Sequence, residues 1–147
     1  MPEKSEMPQK KDLPQKKDML DAARRARENA HAPYSGFKVG ACIKSLDGRL
    51  FSSCNVENVA YPQGQCAEAG AIAAMVSAGG KGISEVLIVA EGEALCTPCG
   101  GCRQRLAEFS EPQTLVHIAG PEGLRASFTL GELLPHAFHF DDAKKDG

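Results

Sequence analysis

Three cysteines and a glutamate have the spacing of a metal-dependent hydrolytic site. Cys66-Ala67-Glu68 is followed further along the chain by Pro98-Cys99-Gly100-Gly101-Cys102. A zinc site with three protein ligands keeps one position for water, whereas a structural zinc site is closed by four protein ligands. A carboxylate beside the open position can carry the protons of that water. The pattern therefore predicts one catalytic Zn²⁺ per chain, held by Cys66, Cys99 and Cys102, with Glu68 as the proton carrier.

A fourth cysteine leaves a structural alternative open. Cys96 lies three residues before Cys99, so Cys66, Cys96, Cys99 and Cys102 could form a closed four-cysteine zinc or iron–sulfur module without catalytic function. Cys96 also precedes Pro98, which places it in the loop before the helix that carries the other two. We therefore favour the three-cysteine site.

Composition narrows the class of protein. The chain has 147 residues, which is enough to bury a core without cross-links, and its net charge of −2 argues against a nucleic-acid partner. It contains no run of about 20 apolar residues and no apolar signal segment, so we expect no membrane partner and a cytoplasmic location. Six cysteines in such a protein suggest metal binding or catalysis before disulfides. Cys42 and Cys54 lie in strand-like segments, and we interpret both as small buried hydrophobic residues.

The N-terminal segment differs in composition from the rest of the chain. Residues 1–17 are rich in Lys, Glu, Gln and Pro, and the sequence of residues 8–12 recurs in residues 14–18. Such a segment buries too little apolar surface to order itself. We expect a disordered polar tail over 1–17 and one folded domain over 18–147.

Hydrophobic periodicity predicts a helix, a hairpin, and then alternating helices and strands. Asp18 is a candidate N-cap for the first helix, and Asp47-Gly48 indicates a hairpin turn. The predicted segments are a helix over 19–29, strands over 38–44 and 49–56, a helix over 66–78, a strand over 86–90, a helix over 99–109 and a strand over 114–119. This order predicts an α/β layered domain with a mixed sheet, in which both cysteine-bearing helices begin at one edge of the sheet.

Several motifs in addition to the cysteines resemble the cytidine deaminase family, in particular its small homotetrameric branch with three cysteine ligands. Residues 33–41 are similar to the family segment Pro-Tyr-Ser-x-Phe-x-Val-Gly-Ala, and Asn55-Val56-Glu57 to its sugar-binding Asn-x-Glu. Leu133-Leu134-Pro135, with Phe138, resembles the C-terminal signature, so the likeness covers about residues 19–140. The resemblance implies an α-β-α sandwich with a mixed five-stranded sheet. It also implies hydrolytic deamination of cytidine and 2′-deoxycytidine to uridine and 2′-deoxyuridine, in pyrimidine salvage.

The resemblance also assigns roles to individual residues, with a nucleoside as the small-molecule partner. Glu68 moves protons between water, the ring nitrogen and the leaving amine. The remaining roles are base stacking by Phe37, ribose binding by Asn55 and Glu57, a backbone contact from Ala67 to the base carbonyl, and contacts by Tyr61 and Phe138 with a neighbouring subunit's site in a homotetramer. From residue chemistry alone, Phe37 could instead be a core aromatic residue and Asn55 a turn residue.

One position departs from the family pattern. Many small members carry an arginine directly after the catalytic glutamate, whereas this chain has Ala69. Three thiolates on Zn²⁺ leave a net charge of −1, and helix N-terminal amides, Arg103 or Arg105 could offset it.

Two other classes of deamination substrate are compatible with a zinc site of this kind. Deamination of free cytosine or of a nucleoside antibiotic such as blasticidin S uses the same zinc chemistry, but neither explains a sugar-binding Glu57. Editing of a polynucleotide is disfavoured because the chain lacks a basic channel for a strand.

Overall fold

The computed structural model describes residues 16–140. Residues 1–15 of the predicted tail lie outside this range, whereas Lys16 and Lys17 belong to the start of the first helix. The elements in chain order are α1 (Lys17–Glu28), β1 (Val39–Ser45), β2 (Leu50–Cys54), a 3₁₀ turn (Tyr61–Gln63), α2 (Ala67–Ser77), β3 (Ile83–Ala90), α3 (Gly100–Phe109), β4 (Leu115–Gly120), β5 (Gly123–Thr129) and α4 (Leu130–Leu133).

The five strands form one mixed sheet in the order β2-β1-β3-β4-β5. β3 and β4 run parallel, and the other neighbouring strands run antiparallel. The β3–α3–β4 unit makes the parallel crossover, so α3 begins where the central strand ends. The predicted mixed five-stranded sheet is confirmed.

Helices cover both faces of the sheet. On one face, Met75 of α2 and Leu106 of α3 are fully buried against Ile43, Ile88 and Ile118. On the other face, α1 packs on the side chains that the strands direct to that side. The residues from α1 are Met19, Leu20, Ala22 and Ala23, and those from the strands are Cys42, Leu87, Val89, Ala119 and Leu124. The layers are therefore α-β-α, as expected, and each strand alternates its side chains between two cores.

Gly40 sets how closely α1 approaches the sheet. A Cβ at Gly40 would collide with the backbone oxygen of Ala23 in α1. Glycine is therefore required by packing at this position.

On the same face of the sheet, the side chain of His117 is buried between two strand residues. Its Nδ1 lies 2.6 Å from Ser127 Oγ, and its Nε2 lies 2.8 Å from Glu85 Oε2.

The hairpin prediction at Asp47-Gly48 is confirmed. Gly48 has a φ of 87°, and its N–H donates to the carbonyl of Ser45 at 2.9 Å. Asp47 also accepts from Arg49 Nε at 2.8 Å. The turn thus combines a glycine in the left-handed backbone conformation with an aspartate whose side chain hydrogen-bonds within the turn.

Other local predictions were wrong or incomplete. Asp18 is not the N-cap of α1, because the helix begins one residue before it and Lys16 occupies the cap position. Cys42 is fully buried as predicted, but Cys54 is only partly buried, because it ends the edge strand β2. The strand β5 and the short helix α4 had no counterpart among the segments predicted from periodicity. The capping box of Thr129 and Glu132 was a local signal for α4.

Candidate metal and catalytic site

The three proposed ligands converge because two helices begin at the same place. Cys66 is the N-cap of α2, Cys99 is the N-cap of α3, and Cys102 lies in the first turn of α3. Their sulfur atoms all lie within 4.8 Å of one another, and no other residues between 16 and 140 form a potential metal-binding group. Tetrahedral zinc with bonds of about 2.3 Å would place its sulfurs about 3.8 Å apart. The residues present therefore fit one zinc ion.

Cys96 does not join this group. It is partly buried, packs against the core under α2 and α3, and contributes no sulfur to the cluster of three. The alternative of a closed four-cysteine site is therefore not supported by the geometry.

Burial and charge control the ionisation of the three thiols. Burial raises the pKa of Cys66 and of Cys102, and the nearby carboxylate of Glu68 raises both further. The pKa of Cys99 is instead lowered, chiefly by the hydrogen bond from the Cys102 backbone N–H. Thiols with a raised pKa must lose their protons to coordinate a divalent cation, so metal binding at this site should release protons.

Glu68 lies in the first turn of α2, beside the sulfur cluster. Its side chain is buried, and the residue is 5 % exposed. Burial raises the pKa of Glu68, although its own backbone N–H, Cys102 and Arg105 all act in the opposite direction. A carboxyl group with a raised pKa holds a proton more readily than an ordinary glutamate, so it is suited both to accept and to return one.

A cavity of about 180 Å³ opens in front of these groups. Its walls include Cys66, Ala67, Glu68, Cys99 and Asn55. Val39, Cys96 and Thr97 complete the lining, and sequence reasoning assigned none of these three to the substrate cavity. Val39 lies inside the quoted motif of residues 33–41 and Cys96 was considered as a metal ligand, so only Thr97 had no sequence signal.

Asn55 bridges the cavity and the preceding loop. Its side-chain oxygen accepts from the Val39 N–H at 2.9 Å, and its side-chain nitrogen donates to the Phe37 carbonyl at 2.8 Å. Asn55 is thus not a turn residue. Phe37 is 44 % exposed and is not a core aromatic residue, but its side chain does not line the cavity.

Glu57 lies in a neighbouring cavity of about 350 Å³, whose wall also includes Tyr34, Ser35 and Tyr61. Its Oε1 accepts from the Tyr34 N–H at 2.9 Å and from the Ser35 N–H at 3.1 Å. The Ser35 hydroxyl donates to Oε2, and these hydrogen bonds keep the pKa of Glu57 below its usual range. Ser35 has a role that sequence reasoning missed, although it lies inside the quoted motif.

Tyr61 and Phe138 lie apart from the sulfur cluster. Tyr61 is 72 % exposed and packs edge-on against Tyr34, with ring centroids 5.6 Å apart. Phe138 is 69 % exposed, and its backbone is held by two hydrogen bonds to the side chain of Gln104. Neither aromatic ring lines the cavity beside Glu68.

No helix within residues 16–140 is both long enough and apolar enough to span a membrane.

Comparison with known proteins gives consistent results. Residues 13–118 match the family model described as the cytidine and deoxycytidylate deaminase zinc-binding region. The chain is 38% identical over 124 residues to the cytidine deaminase of Sporosarcina psychrophila, covering 84% of this chain and 91% of that protein. It is likewise 38% identical over 125 residues to the cytidine deaminase of Mycobacterium tuberculosis strain H37Rv, covering 84% of this chain and 90% of the relative.

Solved structures agree with the sequence relatives. The cytidine deaminase of Burkholderia pseudomallei superposes with a TM-score of 0.78 at 39% identity, covering 84% of this chain and 98% of that one. The cytidine deaminase of Mycobacterium tuberculosis gives a TM-score of 0.71 at 37% identity, covering 84% and 96%. These structures share the sheet and the flanking helices.

Proposed function

The chain belongs to the cytidine deaminase family, and from this premise we propose that it hydrolyses cytidine and 2′-deoxycytidine to uridine and 2′-deoxyuridine, releasing ammonia. The observation that carries the proposal is the group of three sulfurs within 4.8 Å, next to a buried glutamate on the wall of one cavity. Bound zinc would supply a Lewis acid that activates water at neutral pH.

Glu68 is the proton carrier in this proposal. Its carboxylate takes a proton from the attacking water and delivers it to the ring nitrogen N3, which makes C4 more electrophilic. It then takes the second proton of the water and delivers it to the amino group as the C4–N bond breaks. One carboxylate thus acts first as a base and then as an acid, and its raised pKa suits both steps.

Backbone and side-chain groups orient the nucleoside. The Ala67 N–H lies at the start of α2, where helix N–H groups have no partner within the helix, and we propose that it binds the base carbonyl. We propose that Asn55 binds a ribose hydroxyl, since its amide keeps one N–H beyond the bond to the Phe37 carbonyl. We propose that Phe37, which is half exposed, stacks on the pyrimidine ring.

Glu57 can bind the sugar while it holds its loop. A carboxylate has about four acceptor positions, and the Tyr34 N–H, the Ser35 N–H and the Ser35 hydroxyl use three of them. One acceptor position on Oε2 remains, and we propose that a ribose hydroxyl donates to it. A site built around such an acceptor discriminates against a ligand without the hydroxyl.

We further propose that the protein assembles as a homotetramer. Several large apolar side chains are exposed in the part of the chain that the structure describes, and an extended apolar surface often marks a subunit interface. They include Tyr34, Phe37, Val59, Tyr61 and Phe138. In the assembly, Tyr61 and Phe138 would contact the site of a neighbouring subunit. We place the enzyme in pyrimidine salvage in the cytoplasm. The predicted boundary at residue 18 moves to Lys16, because Lys16 is the N-cap of α1, so the proposed polar tail is shortened to residues 1–15.

The activity can be tested directly on purified protein. We expect zinc-loaded protein to convert cytidine to uridine, followed by the loss of cytidine absorbance, with much slower conversion of free cytosine and of blasticidin S. Conversion of either of those two compounds in preference to cytidine would contradict the proposal. Light scattering combined with size-exclusion chromatography tests the tetramer, and a monomer that is fully active would contradict a site shared between subunits.

A further inference from the structure

The zinc centre proposed above has an excess of negative charge. Three thiolates and one Zn²⁺ carry a net charge of −1, and the Cys102 sulfur lies in a residue with no solvent exposure. Burying uncompensated charge costs free energy unless a cation or oriented dipoles face it. The first turns of α2 and α3 provide dipoles from their backbone N–H groups, but no full positive charge.

Arg105 provides that charge at close range. Its Nη1 donates to Cys102 Sγ at 3.6 Å, one helical turn back along α3. A Cβ at Gly101 would meet the same Nη1 at 3.4 Å, so the guanidinium lies folded back over the first turn of the helix. The exposed side chain of Arg105 is thus directed back toward Cys102, one of the proposed metal ligands.

Arg103, the other arginine of α3, forms its hydrogen bonds with oxygen atoms and not with a sulfur. Arg103 donates from Nε to the Pro98 carbonyl at 2.7 Å, from Nη1 to the Leu133 carbonyl at 2.8 Å and from Nη2 to Thr97 Oγ1 at 3.2 Å. Its guanidinium therefore joins the loop before α3 to the end of α4. Arg105, and not Arg103, has a hydrogen bond to a sulfur.

Ala69 leaves room for this arrangement. It follows Glu68 on α2 and shares with Arg105 the wall of a surface cavity of about 300 Å³. A long side chain at position 69 would enter the space beside the guanidinium. Positions 69 and 105 thus face the same space, and we expect an arginine at position 69 to reach the thiolates as well.

We propose that Arg105 is a positioning residue that binds the Cys102 thiolate and offsets the charge of the metal centre, and that an arginine at position 69 could take its place. The inference rests on the proposed function, in that it concerns the same zinc site. A hydrogen bond from guanidinium to thiolate stabilises the sulfur lone pairs and holds the ligand in its coordinating orientation. Zinc affinity and the electronic state of the sulfur should both depend on it.

The test compares four proteins: wild type, Arg105→Ala, the double variant Ala69→Arg with Arg105→Ala, and Arg25→Ala. Arg25→Ala is the control. It removes one positive charge from an exposed residue of α1, which lies on the opposite face of the sheet. Zinc affinity is measured by competition with a chromophoric chelator. The sulfur-to-metal charge-transfer band is recorded after substitution with Co²⁺, and both measurements are independent of deaminase activity.

We expect Arg105→Ala to bind zinc about 10- to 100-fold more weakly and to shift the cobalt band to longer wavelength. The control should behave as wild type, and the double variant should recover most of both properties. An Arg105→Ala protein with wild-type affinity and spectrum would overturn the proposal. A double variant as weak as the single one would show that an arginine at position 69 cannot take the place of Arg105.

The two proposals fail in different ways. If wild-type protein does not deaminate cytidine, the proposed function fails, while the metal and cobalt measurements still decide the role of Arg105. If wild type is active and Arg105→Ala is unchanged in affinity and spectrum, the activity stands and the inference about Arg105 fails.

Discussion

Ser35 donates to both carboxylate oxygens of Glu57, from its backbone N–H to Oε1 at 3.1 Å and from its hydroxyl to Oε2. The same carboxylate is proposed to bind the ribose. Glu57 therefore has two roles that a single substitution would remove together, namely holding residues 34–35 and reading the sugar. The matched change at Ser35 can separate them.

Glu57→Ala should lower kcat/KM for cytidine by about tenfold or more, because contacts with the sugar position C4 for attack. Its effect on free cytosine should be much smaller. Ser35→Ala keeps the carboxylate and removes one of its donors, so it should cost less with cytidine. Steady-state kinetics on both substrates decide the matter: equal losses on cytidine and cytosine would mean that Glu57 only supports the loop.

Replacing Cys66, Cys99 or Cys102 by Ser should release zinc, because each supplies one of three converging sulfurs. Cys96→Ser should retain the metal, since Cys96 is not part of that group. Metal content per chain, measured by atomic emission after dialysis, gives the answer. Loss of zinc from Cys96→Ser would restore the four-cysteine alternative.

Glu68→Gln should bind zinc and fold normally but lose most activity. An amide of the same shape cannot shuttle protons, and a general acid–base group typically contributes about a hundredfold or more to the rate. The measurement is kcat for cytidine at matched zinc content. Turnover close to wild type would remove Glu68 from the mechanism.

His117 should make the stability of the fold depend on pH. Burial lowers the pKa of His117 and outweighs the hydrogen bond that its Nε2 makes to the Glu85 carboxylate, which raises it. The unfolded chain then binds a proton that the folded chain does not, so stability falls as pH drops below about 6.5, by at most about 1.4 kcal/mol per pH unit from this group. The loss should continue until the pH reaches the lowered pKa of the folded state.

The control for this effect is His117→Gln, which is polar but does not titrate. Urea unfolding between pH 7.5 and 5 should show a shallower pH dependence in the variant. Both proteins keep the same three thiolates, so acid release of zinc contributes equally to both profiles. Parallel profiles for the two proteins would show that His117 is not the group responsible.

Removing residues 1–15 should leave activity and thermal stability unchanged, because residues 16–140 contain every group that we place in the site. This deletion keeps Lys16, whose Nζ lies 3.2 Å from Glu85 Oε2. Thermal melts and kinetics of the truncated protein test the prediction. A large fall in either would show that the tail contributes to the folded domain.

The convergence of Cys66, Cys99 and Cys102 could be predicted from sequence because the start of each helix is a local signal. Cys66 and Cys99 each stand at the start of a helix, so periodicity places both helix N-termini, and the known preferences of zinc supply the rest. The same reasoning located Glu68, which lies two residues from a ligand. The sequence pattern was sufficient to predict those residues that lie together within the first turn of one helix.

Other features depend on contacts between distant segments. The strand β5 is defined by its pairing with β4, including His117 with Ser127, and its short alternation was not distinctive alone. The occupation of the Glu57 carboxylate follows from how the loop of residues 34–37 contacts the segment that follows β2, which includes Asn55 and Glu57. Such arrangements have no periodic signal, so sequence could suggest these residues but not their partners.

The central ladder of the sheet also has a kinetic consequence. Val39 of β1 pairs with Ala90 of β3, which lies 51 positions further along the chain (90 − 39). Contacts between residues distant in sequence form slowly, because the entropy of closing the intervening loop is lost before the contacts repay it. Helix α2, which begins just after Cys66, lies inside that loop. Cys66 lies inside that loop, and Cys99 and Cys102 lie beyond it, so we expect the three sulfurs to come together as the sheet closes and not before.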